Sequence, residues 1–382
     1  MPLNLRNSLE SRASRIQDPI ERLRYLKSRA ARAVAQPAIR RPRKKFPLVC
    51  LALVFISLLI PGYQASTGTE QIVPPFPRFQ AGAADVYPNV WVVEKRPEFE
   101  VYSNGLRIDD RYAVSNQGRL FYPVFQRSAI DPDQPEWRSE PAGIVYHTTE
   151  SDQVDFEVGQ NGELKRIGKD VLTFVRRNRC YHFVIDRFGQ VFRVVQESDV
   201  ANHAGYSVWA DDKVVYVNLN GSFLGIAFET QTQRGQDLPS ANPAQIRSAR
   251  TLTEMLRAKY RISASNCVTH AQVSVNPRKM LIGYHTDWAG NFPFMEVGLS
   301  DNYIAPPASI SAFGFDYDPV FVHATGVRIW QGLALAEDEL RAEAIAGGLT
   351  VPQYRAILQK KYKQIIETLK AASADQETDH AT

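Results

Sequence analysis

Two histidines, each closing an apolar run, are the residues in this chain whose types and spacing suggest chemistry. His147 follows Ile144, Val145 and Tyr146 within IVYHTTES (144–151), and His270 stands near the start of THAQVSVNPRKMLIGYHTDWAGNF (269–292), where His285 and Asp287 follow. Imidazoles and carboxylates are both ligands that Zn²⁺ accepts, and three protein ligands leave a fourth position for water, which marks a catalytic rather than a structural site. His147, His270 and Asp287 are therefore read as three ligands of one Zn²⁺, with His285 two residues before the carboxylate. An ion held this way brings the pKa of a bound water towards about 7 and makes a hydroxide nucleophile available. Two other readings stay open: strand-end histidines that merely pack, and His285 as the third ligand in place of Asp287.

The neighbouring patterns indicate how these side chains are carried. Gly143 to Tyr146 and Cys267 to Thr269 are short buried strands that each end on a histidine, the place where α/β sheets present ligands. Between them, Leu164, Ile167, Val171 and Phe174 recur at helical spacing and predict a helix over 161–178 with its basic face in solvent. CYHFVIDRFGQVFRVV (180–195) reads as a hairpin turning at Phe188 and Gly189, and SFLGIAFET (222–230) as a further core strand. Asn242 as N-cap, with Pro243 at the first helical position, opens a helix placing Ile246, Ala249, Leu252, Leu256 and Tyr260 on one face. Residues 142–303 are thus expected to form an α/β domain with a mixed central β-sheet flanked by helices.

The flanks differ in character. The chain has 382 residues, 44% hydrophobic and 23% charged, enough for more than one domain with a self-sufficient core. Its net charge of +4 is uneven: residues 1–45 carry 13 Lys and Arg against 3 Asp and Glu, so the rest of the chain is net acidic. RRPRKK (40–45) runs straight into FPLVCLALVFISLLI (46–60), which has no charge. That run is short of the ~20 residues that span a bilayer, and 46–62 reads as a transmembrane anchor or a signal h-region. The basic flank keeps the amino terminus cytoplasmic, so the expectation is a single-pass protein of the cytoplasmic membrane with its folded part outside. The basic head then faces the membrane surface or solvent, and no nucleic-acid partner is expected. Residues 63–85, with Pro74, Pro75 and Pro77, form a stiff linker. Residues 86–141 carry VWVV, FEVY, YAVS and LFYPVF separated by SNG and NQG, and read as a small antiparallel β-rich segment. Residues 304–382 read as a helical C-terminal region, with helices at Glu337–Ala346 and Val351–Leu369. In an oxidising compartment Cys180 and Cys267 either pair or remain two separate buried thiols.

IVYHTTES, CYHFVIDRFGQVFRVV, NHAG, NGSFLGIAFET and THAQ…RK…HTDWAGNFPF occur in the order found in zinc-dependent N-acetylmuramoyl-L-alanine amidases of the type-2 class. The chain resembles that superfamily, which includes peptidoglycan recognition proteins and phage lysozyme-like amidases, over about 142–295. The resemblance implies peptidoglycan as substrate, Zn²⁺ as cofactor, and cleavage of the amide joining N-acetylmuramic acid to L-alanine. It makes His147 and His270 the imidazole ligands and Asp287 the third, with His285 where many members have lysine, able when protonated to stabilise the oxyanion and protonate the leaving amine. It matches Tyr181 to a tyrosine that orients water or stabilises the oxyanion. It sets His203, beside Asn202 in NHAG, in the substrate groove or in a loop-structuring role. Some members use a glutamate at the position of Ala227, and Glu229, of the same strand parity, is a possible base instead. His182 reads as a core histidine, and His323 and His380 as surface residues. The His285 departure leaves a second function open, a peptidoglycan-binding receptor or scaffold without turnover.

Overall fold

The fold follows from strands buried on both faces, and a computed structural model describes it for residues 85–232, 240–325 and 330–379. The basic segment, residues 46–62, the linker up to residue 84 and His380 lie outside these residues. Among the described residues no helix is long and apolar enough to cross a membrane.

The first strands, β1 (Val92–Lys95), β2 (Phe99–Tyr102) and β3 (Arg107–Asp109), form an antiparallel meander. After β4 (Tyr122–Gln126) and β5 (Glu136–Arg138) comes β6 (Gly143–Thr148), all six residues of which are buried. Helix α1 (Asn161–Asn178) matches the expected span and ends on Arg179 in the left-handed conformation. The hairpin of β7 (Phe183–Ile185) and β8 (Val191–Arg193) turns through Gly189 at φ 82°, where a Cβ would meet the Ala244 carbonyl. Strands β9 (Val208–Ala210) and β10 (Val214–Val217) lead through the short α2 (Leu219–Ser222) into β11 (Phe223–Phe228), again buried throughout. Asn242 caps α3 (Pro243–Tyr260) reciprocally with Gln245, as its Asn-Pro start requires. β12 (Cys267–Thr269) and α4 (His270–Val273) follow.

Eight strands make one mixed sheet in the order β1-β2-β3-β8-β7-β11-β6-β12, with β7, β11, β6 and β12 parallel. Helix α3 covers one face, packing Ala249, Leu252, Met255 and Leu256 over Tyr146, Ile226 and Phe228. On the other face α1 covers Val184 and Ala227, while a four-stranded antiparallel sheet, β5-β4-β10-β9, covers Val145, Phe223 and Val268. Continuous apolar runs such as IVY and FLGIAF belong in such a doubly covered sheet.

Two expectations are corrected, and the choice left open for the cysteines is decided. Residues 86–141 are not a separate β unit. β3 joins β8 in parallel, Ile108 opposite Val191, and β4 and β5 enter the second sheet. Local patterning marks a strand but not its partner. The cysteines are free thiols: β11 and β6 lie between β7, which Cys180 precedes, and β12, which Cys267 opens. Three strand spacings are roughly 14 Å, twice the Cα separation a disulfide tolerates. The region beyond 303 is not set apart either. β13 (Val275–Asn276), β14 (Leu281–Ile282) and β15 (Asp316–Tyr317) form a sheet across that boundary. Helices α5 (Ala308–Ser311), α6 (Pro319–Ala324), α7 (Gln331–Ala346) and α8 (Val351–Asp379) follow, and Phe313, Leu340 and Tyr362 share one apolar cluster with Trp288 and Phe292. Both long helices exceed the predicted spans, α7 at its start and α8 at its end.

A buried guanidinium joins β1–β3 to the rest. Arg193 on β8 binds Glu100 on β2 at 2.8 Å, Glu197 at 2.7 Å, and Asp110. Removing one partner of a buried ion pair leaves uncompensated charge. Arg193→Leu takes the guanidinium from three carboxylates, leaving Glu100 and Glu197 only the more exposed Lys95 and Lys259, and is expected to lower unfolding free energy by about 3–5 kcal/mol in denaturant titration. A loss below 1 kcal/mol would refute this role.

Candidate metal centre

Parallel pairing brings the two histidines together. Val145 and Tyr146 of β6 lie opposite Val268 and Thr269 of β12, so the next residue on each strand is the histidine. The rings of His147 and His270 are 4.4 Å apart at 61°. His270 opens α4, whose start is tied by Gln272 accepting the Thr269 N–H at 2.9 Å. Asp287 arrives on a loop whose backbone is fixed by the Ala271 N–H donating to the Asp287 carbonyl. The next residue, Trp288, holds φ 59°, a left-handed conformation unfavourable for a bulky side chain. It persists because the indole is buried, edge-on to Phe228 and Phe292.

Asp287 Oδ2 lies 3.2 Å from His147 Nδ1, and Asp287 Oδ1 lies 3.0 Å from His270 Nδ1. One ligand atom from each residue falls within a 4.8 Å span, and all three side chains are nearly enclosed. This donor set fits Zn²⁺: two Nδ1 atoms and a carboxylate converge, and the other ring nitrogen of His147 is held by His203 Nδ1 at 3.1 Å. Burial pushes His147 down to about 4, which keeps it the neutral imidazole a metal requires. For Asp287, burial acts to raise the carboxyl, but the two imidazoles beside it, His270 foremost, outweigh it and hold the group ionised.

The remaining candidates divide. Tyr181, also left-handed at φ 60°, sets its ring 5.0 Å from that of His147. Burial raises its phenol, which therefore remains an O–H donor at neutral pH. His285 stacks on His270 at 4.6 Å and 17°, with the exposed Tyr284 edge-on to it. Partial burial and then the charge of His270 lower its pKa, so the protonated form, on which the oxyanion role considered from the sequence depends, is disfavoured at rest.

Glu229 is not brought to the cluster. Its carboxylate takes Arg187 Nε at 2.8 Å and the Arg187 N–H at 3.1 Å, a buried pair that occupies the oxygens a base would need free. Asn202 is exposed, and its amide reaches back to the Asn178 carbonyl at the end of α1 rather than to the centre. His203 turns inward, against His147, instead of outward into a groove. His182 is a core histidine as expected, with both ring nitrogens at hydrogen-bonding distance from backbone groups. Sequence reasoning missed Glu150, at φ 53°, whose carboxylate accepts from Thr148 Oγ1 and the Thr232 N–H and so braces the chain after β6. A polar residue just past a strand-end ligand was the only signal.

The family model described as N-acetylmuramoyl-L-alanine amidase matches residues 137–287, a span that includes His147, His270 and Asp287. The match covers under half of the chain. No curated protein matches the chain. Solved structures similar to it include the N-acetylmuramoyl-L-alanine amidase LysC from Clostridium intestinale URNW, 22% identical over 50% of this chain and 93% of that one, with a TM-score of 0.27. The amidase AmiD from E. coli is 17% identical over 72% and 98%, TM-score 0.33, and Drosophila peptidoglycan recognition protein SD is 15% identical over 43% and 85%, TM-score 0.25.

The buried imidazoles give stability a definite pH dependence. Burial and then the charge of Arg119 push His182 down to about 3, so above the ordinary pKa of 6.5 the native and unfolded forms are equally unprotonated. Below 6.5 the unfolded chain takes up a proton that the native state refuses, and stability falls until pH reaches the native pKa. His147 adds to this between 6.5 and about 4. Calorimetry of the chelator-treated protein should show Tm falling steadily from pH 7 to pH 4, each imidazole contributing up to about 1.4 kcal/mol per pH unit. A Tm independent of pH over that interval would contradict the assignment.

Proposed function

We propose that the protein is a zinc-dependent hydrolase that cleaves the amide between N-acetylmuramic acid and L-alanine in peptidoglycan. The observation that carries this reading is the convergence of one ligand atom each from His147, His270 and Asp287 inside one 4.8 Å span, with Nδ1 of the two rings 3.2 and 3.0 Å from the Asp287 carboxylate. The family match over the same residues supports it. Zn²⁺ held by these three side chains would supply Lewis acidity and lower the pKa of a water at its open position towards about 7.

The chain's own groups supply the rest. Asp287 is the one anionic donor beside two imidazoles, which bind a metal only in their neutral form, so such a ligand set would carry net charge −1 and leave an ion most of its charge. Tyr181, protonated and beside His147, donates a hydrogen bond to the oxygen of the scissile carbonyl as negative charge develops there. His285, neutral at rest and exposed at the mouth of the centre, accepts the proton of the attacking water and returns it to the departing alanine nitrogen. The complete ligand set favours turnover over a binding-only role, because loss of a ligand is the simplest way to abolish activity. The charge-free run at 46–60 behind its basic flank supports tethering to the cytoplasmic membrane with this domain on the outer side.

Purified full-length protein should release stem peptides from isolated sacculi, and both chelation and His270→Ala should abolish release, with zinc restoring only the chelated wild type. Tight binding to sacculi without amide cleavage in zinc-loaded protein would instead establish the receptor reading. Tyr181→Phe should retain one equivalent of zinc and lose about 10²–10³-fold in kcat, the usual effect of deleting one oxyanion donor. Unchanged turnover in this variant would remove Tyr181 from the mechanism.

A further inference from the structure

Behind His147 lie two more imidazoles, with ring centroids 5.2 Å apart from His147 to His203 and 5.7 Å apart from His203 to His182. Hydrogen bonds separate their roles. His182 Nδ1 accepts the Gly225 N–H at 2.9 Å, and its Nε2 lies 3.1 Å from the Asp199 carbonyl and 3.0 Å from Arg119 Nη2, so neither nitrogen is given to His147 or His203. His203 gives only one nitrogen to the backbone and turns the other to His147.

The proton positions along this line follow from one fixed point. The Phe223 carbonyl oxygen can only accept, so His203 Nε2, 3.2 Å away, carries its hydrogen. Among the described residues no carboxylate bonds to His203, and a neutral ring protonated at Nε2 has a bare acceptor at Nδ1. His147 Nε2, 3.1 Å from that acceptor, is then the donor. This leaves the lone pair of His147 on Nδ1, the atom that faces Asp287. Without the hydrogen bond from behind, either ring nitrogen could hold the proton, and half of the bargain with a metal would be lost.

The surroundings seat His203 for this task. Asn220 Oδ1 accepts three successive backbone N–H groups, those of His203, Ala204 and Gly205, at 2.9, 2.7 and 2.8 Å. The imidazole lies directly over β11 at Gly225, where an added Cβ would stand 2.7 Å from His203 Cγ. A glycine in a central strand normally weakens it, and close approach of another group is the usual reason for one.

We propose that His203 is a positioning residue: it accepts from His147 Nε2, donates to the Phe223 carbonyl, and so locks His147 in the tautomer whose Nδ1 binds the metal ion. This rests on the proposed ligand set and goes beyond the two roles, groove-lining or loop-structuring, that the sequence left open for His203. Any effect of His203 on turnover passes through the metal affinity.

The test compares His203→Phe, which keeps a ring but loses both hydrogen bonds, with His203→Gln, which offers an acceptor and a donor on one side chain. Zn²⁺ affinity is measured by chelator competition on the full-length protein, and coordination by the visible spectrum of the Co²⁺ form. The Phe variant should bind Zn²⁺ about 10–100-fold more weakly, the usual cost of removing a ligand's hydrogen-bond partner, with a changed Co²⁺ spectrum. The Gln variant should recover most of the affinity, and the metal-free Tm should barely differ between the two. Equal affinity of the Phe variant and wild type, or a Gln variant as weak as Phe, overturns the proposal. Should the Phe variant not fold, ¹⁵N spectra of zinc-loaded wild type decide: protons on Nε2 of both His147 and His203 are expected, and an Nδ1–H at His203 overturns it. Failure of the wild type to bind one equivalent of Zn²⁺ would sink the ligand set itself, an outcome distinct from a wild type that binds and variants that bind equally well.

Discussion

A buried carboxylate has to be matched by positive charge or by polar partners, and here Asp287 faces two imidazole nitrogens at 3.2 and 3.0 Å. That requirement shapes what surrounds it. Two neighbouring parallel strands end in the same register, so His147 and His270 emerge side by side. A strained tryptophan fixes the loop bearing the acid. Burial keeps His147 unprotonated, so the countercharge cannot come from that ring, and the three side chains together could hold a divalent cation.

Much of this arrangement could be read from the sequence, because much of it is local. The start of α3 is written in Asn242 and Pro243, the turn of the β7–β8 hairpin in Phe188-Gly189, and the span of α1 in the spacing of Leu164, Ile167 and Val171. His147, His270 and Asp287 were identifiable because each follows a recognisable strand or motif. What could not be read is pairing between remote segments. Nothing in residues 99–109 says that β3 lies beside β8, and nothing in NHAG says that its histidine faces His147 rather than solvent. Glu229 was misread for a related reason: strand parity gave its face of the sheet correctly, but its partner, Arg187, comes from another strand's turn.

Buried charges recur where remote segments meet. Arg193 ties β2 to β8, Arg187 ties the β7–β8 turn to the end of β11, and Arg355 on α8 ties to Glu337 on α7 at 2.6 Å, with Tyr317 sharing the same carboxylate. Replacing such a pair by apolar residues can be neutral, so these pairs are poor evidence for extra stability. Their effect is on specificity of assembly. An apolar face slides with little penalty, whereas a guanidinium left without its carboxylate does not, so each pair admits one docking of the segments it joins.

The C-terminal region acquires a role by the same reasoning. It is continuous with the apolar core, and it reaches the metal centre through the backbone of the acid loop. Trp330, just before α7, donates its indole N–H to the Ala289 carbonyl at 2.9 Å. The Tyr303 hydroxyl donates to the Trp288 carbonyl and accepts the Phe292 N–H, and the Tyr303 and Trp330 rings pack 4.9 Å apart. Residues 288–292 therefore hang from groups outside the matched amidase span, and Asp287 is the residue immediately before them. A carboxylate on a free loop would lose conformational entropy on meeting an ion, whereas one already fixed from behind has lost it in folding. The helices after residue 330 contribute to the metal centre without touching it: they complete the packing that holds Trp330 and, through it, the backbone from which Asp287 projects.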